Sequence, residues 1–530
     1  RSFNSQFFAQ TGNETPGFQR QSSVRDARFN FVNSLNYNKT FNEVHTVSAG
    51  AYVEYIKNHY RQFGFQAEGL DPKTFYPGDG SGFVDDNSAN DNFADSANAR
   101  ILNSGLFSYF ASADYDYSKK YGFSATIRRD SSPRFIDDNT WGTFYSLSGR
   151  WNIDKEDFMQ NTAFNMLKLR GSYGTAGNQN IDGTSPYNTL NNYLDLYSTG
   201  TGYAGANSTS FTQIAYPQIQ WEVITQGNIG LDFGLYSNKL NGSLDVYNKK
   251  TTELFTQQPI QSAAGATSLF QNLGSLVNKG VELNLNYNVL QNKDGLNLKL
   301  SANGSYNNAT REGANLSTIE EGGKLYQYYT VRYAGVNPAN GNLLYLDING
   351  DVTETPDVDN DRVFTDKNRL PDFQGGFGLS ADYKGFFFET QFNYAVGIDR
   401  FDLDYADLVD PGSIGQFRTG TDLQNAWTPS NTNTNIPSLN ATNLNDLDAT
   451  QSDRFLQSAD YLRMRFISLG YSFNKNVLKQ LKLSNLKVFV NGENLVTFSQ
   501  WKGYDVEGFA ATSREYPTPR LVSAGVEIGF

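Results

Sequence analysis

The sequence predicts an all-β protein: an antiparallel transmembrane β-barrel portion of about sixteen strands, with long extracellular loops and short periplasmic turns. Three observations predict it. Apolar residues alternate along one segment after another, short and long connections alternate between those segments, and the last segment is an alternating strand that ends on an aromatic residue. In that last segment Val522, Ala524, Val526, Ile528 and Phe530 take one side, and Ser523, Gly525, Glu527 and Gly529 take the other. Successive side chains of a strand point to opposite faces, so the segment has one apolar face and one wet face.

In chain order, a weakly patterned strand near Phe3–Gln10 comes first. The clear apolar sets then begin with Phe29, Phe31, Leu35 and Tyr37, followed by Val47, Ala49, Ala51, Val53 and Tyr55. Phe107–Tyr117, Tyr121–Ile127, Tyr145–Trp151 and Leu167–Tyr173 continue the pattern. Ile229–Leu235 pairs with Leu240–Val246, and Val281–Val289 precedes Leu296–Tyr306. Phe373–Tyr383, Phe386–Val396, Ile467–Phe473 and Leu486–Val490 lead to the final strand. Many of these segments approach the ~9–11 residues that a tilted strand needs to cross a bilayer.

The connections give each strand a direction. Ser118–Lys120, Tyr236–Lys239, Leu290–Gly295 and Lys384–Gly385 are short; Ile56–Gly105, Gly174–Gln226, Asn248–Asn278, Asn307–Asp372, Ile398–Asp460 and Gly492–Arg520 are long. Transmembrane barrels have short periplasmic turns and long outer loops. Counting back from a periplasmic Phe530, every short connection falls inside and every long one outside. Two inner connections are longer, Asp154–Met166 and Asn474–Asn485. In the second, Val477, Leu478 and Leu481 have near-helical spacing, so it reads either as a short amphipathic helix or as a polar turn.

Composition narrows the function classes. With no Cys there are no disulfides or thiolate sites. Mean hydropathy is -0.53, and no run of about 18 apolar residues occurs, which excludes a helical span. A barrel is compatible with low hydropathy because only alternate residues face lipid. The 39 Phe, 32 Tyr and 5 Trp suit aromatic girdles at two interfaces. A net charge of -12 argues against a phosphate-binding surface, so nucleic acid is not expected as a partner. Arg1-Ser-Phe-Asn-Ser-Gln carries no apolar signal region, which leaves the chain either mature or lacking its beginning.

Several ordered segments resemble the SusC/RagA-like family of TonB-dependent outer-membrane transporters. They include YGFSATIRRDSSPRF from Tyr121, LKLRGSYGTAGNQN from Leu167, the Gln220–Phe255 segment and NLGSLVNKGVEL from Asn272. VRYAGVNPANGNLLYLDINGD from Val331, AWTPSNTNTNIPS from Ala426, SDRFLQSADYLRMRFISLGYSF from Ser452, VFVNGENLV from Val488 and YPTPR from Tyr516 follow in register. The resemblance implies an outer-membrane barrel of a Gram-negative, Bacteroidetes-type bacterium, with an internal plug and a TonB-interacting segment. It also implies a SusD-like surface lipoprotein as partner and import of glycan oligosaccharides or peptides. Plug and TonB segment are absent from this sequence, and such barrels have ~22 strands. Residues 1–530 are therefore expected to be the C-terminal part of a longer barrel protein, embedded in outer-membrane lipid.

Candidate chemistry is sparse. Asp347, Asn349 and Asp351 in DINGD, followed by Asp357, Asp359 and Asp361, offer alternating oxygens that suit Ca²⁺ in a tight loop. The other reading is an acidic loop closed by Asx-turns, and no cofactor is otherwise expected. His45 and His59 lack ligand partners, and the Asp85–Asp86 and Asp137–Asp138 pairs lie in polar loops. Arg128, Lys168 and Arg170 are out of phase with the apolar sets and should face the lumen in structural ion pairs. Arg463 and Arg465 share the phase of Ile467 and Leu469 and should snorkel to headgroups. Aromatic loops at Tyr187–Tyr203, Tyr326–Tyr333, Trp427 and Trp501–Tyr504 could stack on sugars, pack a lid protein or form the outer girdle.

No nucleophile, phosphate loop or acid–base pair supports an enzyme. The importer reading leads. Its alternatives are a self-contained passive porin of sixteen strands and a structural or docking protein of a larger surface complex.

Overall fold

In the computed structural model the described residues are 2–4, 18–68, 96–181, 187, 190–203, 206–261, 268–292, 295–313, 320–508 and 516–530. Sixteen antiparallel strands form one sheet, and each pairs with the strands before and after it in the chain. They are β1 (Ser2–Asn4), β2 (Phe18–Phe41), β3 (His45–Glu68), β4 (Ser96–Tyr117), β5 (Tyr121–Ser131), β6 (Trp141–Asn152), β7 (Phe164–Asn178) and β8 (Glu222–Leu235). β9 (Leu240–Thr252), β10 (Ser275–Leu290), β11 (Asn297–Glu312), β12 (Phe373–Tyr383), β13 (Phe386–Val396), β14 (Tyr461–Ser472), β15 (Asn485–Ser499) and β16 (Leu521–Gly529) complete the sheet. The expected first strand is present as the three residues of β1; the rest of that segment, like Asp85–Asp86, lies outside the described residues. Among the described residues β16 pairs with β15 and β1 with β2, and not with each other.

Alternation in sequence becomes two chemically different faces. Leu35 is 77% exposed, Ile229 65% and Val522 73%, all on the face assigned to lipid. Such a face would be untenable in water and is the expected one against acyl chains. At the turn end, His45, Tyr117, Tyr121 and Trp151 follow one another across adjacent strands with ring centroids 5.1, 6.4 and 6.4 Å apart. This is an aromatic girdle, and it gives His45 an interfacial place.

The turns follow from their residues. Lys384 and Gly385 both have positive φ, 47° and 95°, which closes β12 and β13 with a type I′ geometry. Of the two readings of the Asn474–Asn485 connection, the helix is the one observed, as α1 (Lys475–Leu481). The Asn474 side chain caps it by accepting from the N–H groups of Asn476 and Val477, and Lys482 ends it in the left-handed conformation.

Two features depart from the sequence reading. β2 and β3 each run 24 residues and β4 runs 22, roughly twice the length needed to cross the bilayer. They therefore take up part of the expected Ile56–Gly105 loop. The outer halves of these strands extend beyond the length that a bilayer crossing needs, and Tyr187 packs on Tyr60 and donates to Asp26 there, so no lipid face imposes alternation on them. In β14, Phe466 pairs with Gln391 but Met464 with Phe392, an extra residue at Arg465. This β-bulge inverts the phase before it.

The buried apolar residues lie mainly in the outer loops rather than in the one-layer wall. Phe135, Phe144, Ile181, Ile219 and Trp221 form one cluster. Val331, Leu343, Tyr345 and Leu447 form another, joining the long loop after β11 to the one after β13. The first of these loops folds as a four-stranded sheet of Gln327–Val336, Leu343–Leu346, Val352–Thr353 and Arg362–Asn368.

Candidate functional site

The face opposite the lipid side carries paired charges. Arg170 on β7 lies over Gly230 on β8, where any Cβ would collide with its guanidinium, and reaches Asp245 on β9 with Nη1···Oδ1 and Nη2···Oδ2 both 2.6 Å. It also contacts Asp232 at 3.2 Å, and Lys168 reaches Asp232 at 2.9 Å. Arg128 donates to Glu54 at 2.8 Å, Ser108 at 2.8 Å and Asp130 at 2.6 Å. Its guanidinium stands 4.8 Å from the Phe110 ring centroid. Arg150 pairs with Asp116. The inward direction read for Arg128, Lys168 and Arg170 is the one observed. Their acidic partners were not singled out from sequence, although Asp232 and Asp245 are visibly out of phase with their apolar neighbours.

Beside this network a polar groove of about 670 Å³ opens on the same face, lined among others by Glu282, Asn284, Asn303, Gln374 and Asn393. Carboxylate and amide oxygens with amide N–H donors give it capacity to hydrogen-bond hydroxyl or peptide groups.

Arg463 corrects the sequence reading. Because of the bulge at Arg465 it does not reach headgroups; it pairs across the strands with Asn393 and Thr497 and is 4% exposed. Its Nε donates to Thr497 at 2.9 Å, and its Nη2 reaches Asp505 at 2.5 Å. Arg463 and Arg465 both hold Glu507. Asp505 and Glu507 belong to the loop between β15 and β16, so the arginines latch that loop to the wall. Burial alone would raise the Asp505 carboxyl, but Arg463, together with hydrogen bonds from Thr518 and the Glu507 N–H, brings it down to about 2.

The outer loops are cross-tied. Asn443 donates to the carbonyls of Leu343 and Glu354, each at 2.9 Å, and accepts from the Leu343 N–H at 3.0 Å. Asn342, Asn340 and Asn337 all donate to the Glu354 carboxylate and lower its pKa. Asp402, fully buried, accepts from the N–H groups of Tyr405 at 2.9 Å and Gly503 at 2.8 Å. Burial outweighs these bonds and raises its carboxyl. The loop aromatics are mostly used in this packing: Trp427 donates to the Pro338 carbonyl at 3.1 Å, Tyr328 to that of Asp399 at 3.0 Å, and Tyr187 is buried. Tyr203, 97% exposed, stands free of packing.

In the acidic loop Asp347 accepts from the Asp351 N–H at 2.8 Å, Asp361 from the N–H groups of Ile348 and Asp357, and Asp357 from those of Asp359 and Asn360. The Asp351 N–H, first among several donors, lowers the Asp347 carboxyl. Asn349 lies 3.5 Å from the Asp347 carboxylate. Among the described residues no three Asp, Glu or His side chains gather closely enough to hold a metal ion.

The profile of the family described as TonB dependent receptor-like, beta-barrel, matches residues 1–495. The chain belongs to this family of outer-membrane proteins. It is 30% identical over 586 residues to TonB-dependent receptor P39 of Formosa agariphila, covering 97% of this chain and 54% of that protein. It is 28% identical over 545 residues to TonB-dependent receptor SusC of Bacteroides thetaiotaomicron, covering 94% of this chain and 50% of that protein. A solved structure of the RagAB peptide transporter superposes with a TM-score of 0.83 at 26% identity, covering 97% of this chain and 56% of that one. The chain thus spans about half the length of the relatives it matches.

As a TonB-dependent receptor barrel of the SusC/RagA-like kind, the chain places its charged network and polar groove on the lumenal side, and its cross-tied loops at the cell surface. His59, at an outer strand position, contacts Asn103 at 2.8 Å.

Proposed function

We propose that the chain is the C-terminal barrel portion of a TonB-dependent nutrient importer, which takes up glycan oligosaccharides or peptides with a SusD-like surface lipoprotein over its loops. The observation that carries this reading is the pairing of a hydrogen-bonding lumenal groove with an outer crown held by its own buried contacts. A passive pore needs neither a tied crown nor TonB. The similarity to a solved peptide transporter supports the peptide class, and a span of about half the relatives' length supports the place within a longer chain. The test is deletion of the gene in its host, followed by growth on a panel of oligosaccharides and peptides with and without TonB function. Loss of growth on one nutrient class, reproduced by loss of TonB, is expected. Unimpaired growth on the whole panel contradicts the proposal. An intact mass near 59.1 kDa from outer membranes would contradict the partial-chain reading.

A further inference from the structure

Glycine inside a strand weakens it by roughly 0.5–1 kcal/mol relative to alanine, and is retained where another group approaches closely. For nearly every glycine of the sixteen-stranded sheet that group is visible: an atom of this chain stands within 3.0 Å of where a Cβ would be. Arg170 covers Gly230, Tyr247 covers Gly280 and Phe489 covers Gly525. Gly149, Gly171 and Gly227 differ. The nearest atoms to their Cβ positions are 3.9, 3.8 and 3.7 Å away, and none has a positive φ.

These three glycines lie on the lipid side. Phe123 pairs with Gly149, Gly149 with Gly171 and Gly171 with Ile229, so the four share a face; Gly227 joins them opposite Tyr173. Together they floor an outward groove of about 860 Å³, walled by Phe123, Leu147, Tyr173, Ile229, Val246 and Val281. Its lower end lies two residues above the girdle of Tyr121 and Trp151, roughly 7 Å along the strand. At its upper edge stands Lys279, exposed and in the lipid-facing phase of β10. Lys279 lies eleven residues above Leu290, which at the usual strand tilt is roughly 28 Å, close to the outer border of the apolar band. The neighbouring carboxylate, Glu312, is bound by Lys250 at 2.9 Å.

We infer that this groove seats an anionic lipid of the outer leaflet, with a hydrocarbon chain over Gly149, Gly171 and Gly227 and its phosphate at Lys279. An apolar trough across the hydrocarbon zone with a cation at one border matches a phosphorylated amphiphile and nothing purely aqueous. A second barrel is a poorer occupant: two convex walls touch along ridges and leave a glycine trough empty. The inference rests on the outer-membrane location and is independent of what the protein imports.

The open space above the glycines lets the test variants fold. The protein is purified from outer membranes in mild detergent, incubated with lipid A, and its retained lipid counted by native mass spectrometry. Wild type and the remote outward control Val490→Leu should carry a lipid A adduct that Gly149→Leu/Gly171→Leu and Lys279→Gln both lose. A wild-type crosslinking measurement with a photoreactive lipid A covers the case of a misfolded variant, and labels should concentrate on the groove walls. Equal retention in all variants, or uniform labelling around the sheet, overturns the inference. So does a phospholipid adduct indifferent to Lys279→Gln, or a dimer lost on filling the glycines.

Discussion

At the scale of the residue, burial decides how much each ion pair matters. Arg170 is 34% exposed, so water screens its pairs with Asp232 and Asp245. Arg463, with a side chain only 5% exposed, leaves two shielded carboxylates behind when removed. Arg463→Met should therefore destabilise by about 3–5 kcal/mol and Arg170→Met by only about 1 kcal/mol, measured by urea unfolding in detergent. Equal costs would contradict the assignment of Arg463 to a buried latch. The Asp505 carboxyl, held at about 2, has a folded pKa below its unfolded value of about 3.9. Its contribution is complete above the unfolded value and disappears as pH falls through the folded one. Acrylamide quenching of Trp501, in the same loop, should stay flat from neutral pH to about 4 and rise below that, whereas Asp505→Asn should be loose at every pH. The Asx-turn geometry of the Asp347–Asp361 loop predicts no change in Tm when Ca²⁺ is removed with EGTA. A fall restored by Ca²⁺ would instead assign the ion to Asp347, Asn349 and Asp351.

At the scale of the element, legibility followed the environment. Strand segments inside the bilayer could be read from alternation, because one face must meet lipid and the other water. The outer halves of β2, β3 and β4 could not, since they stand beyond the length of a bilayer crossing and no lipid face imposes alternation there. The helix α1 was legible as one of two readings through Val477, Leu478 and Leu481. The bulge at Arg465 was not: one inserted residue puts Arg463 on the face opposite Ile467 without altering composition. The lumenal direction of Arg128, Lys168 and Arg170 followed from phase, but their partners required strand register. The crown was invisible because its ties are single side chains such as Asn443, joining segments 100 residues apart. Asn443→Ala removes three hydrogen bonds in a buried position, and leaves Leu343 and Glu354 backbone groups unsatisfied. Limited proteolysis should then cut within 397–460 sooner than in wild type while the barrel stays folded. Unchanged protection would mean that the crown is held elsewhere.

At the scale of the whole molecule, the wall is a single layer whose stability depends on meeting lipid outside and paired charges inside. This explains how a chain with mean hydropathy of -0.53 belongs in a membrane. It also fixes sidedness, with the turns of β2–β3, β4–β5, β8–β9 and β12–β13 in the periplasm and the crown at the cell surface. Because the chain contains no cysteine, one introduced cysteine at a time reports its own surroundings. The most direct measurement is maleimide labelling of single cysteines at Tyr203, Ser237, Ile229 and Asp232. In intact cells an impermeant maleimide should reach Tyr203→Cys but not Ser237→Cys. In purified protein, water-soluble reagent should reach Asp232→Cys while Ile229→Cys reacts only with a membrane-soluble one. Labelling of Ser237→Cys from outside, or exchange of the Ile229 and Asp232 patterns, would contradict the account.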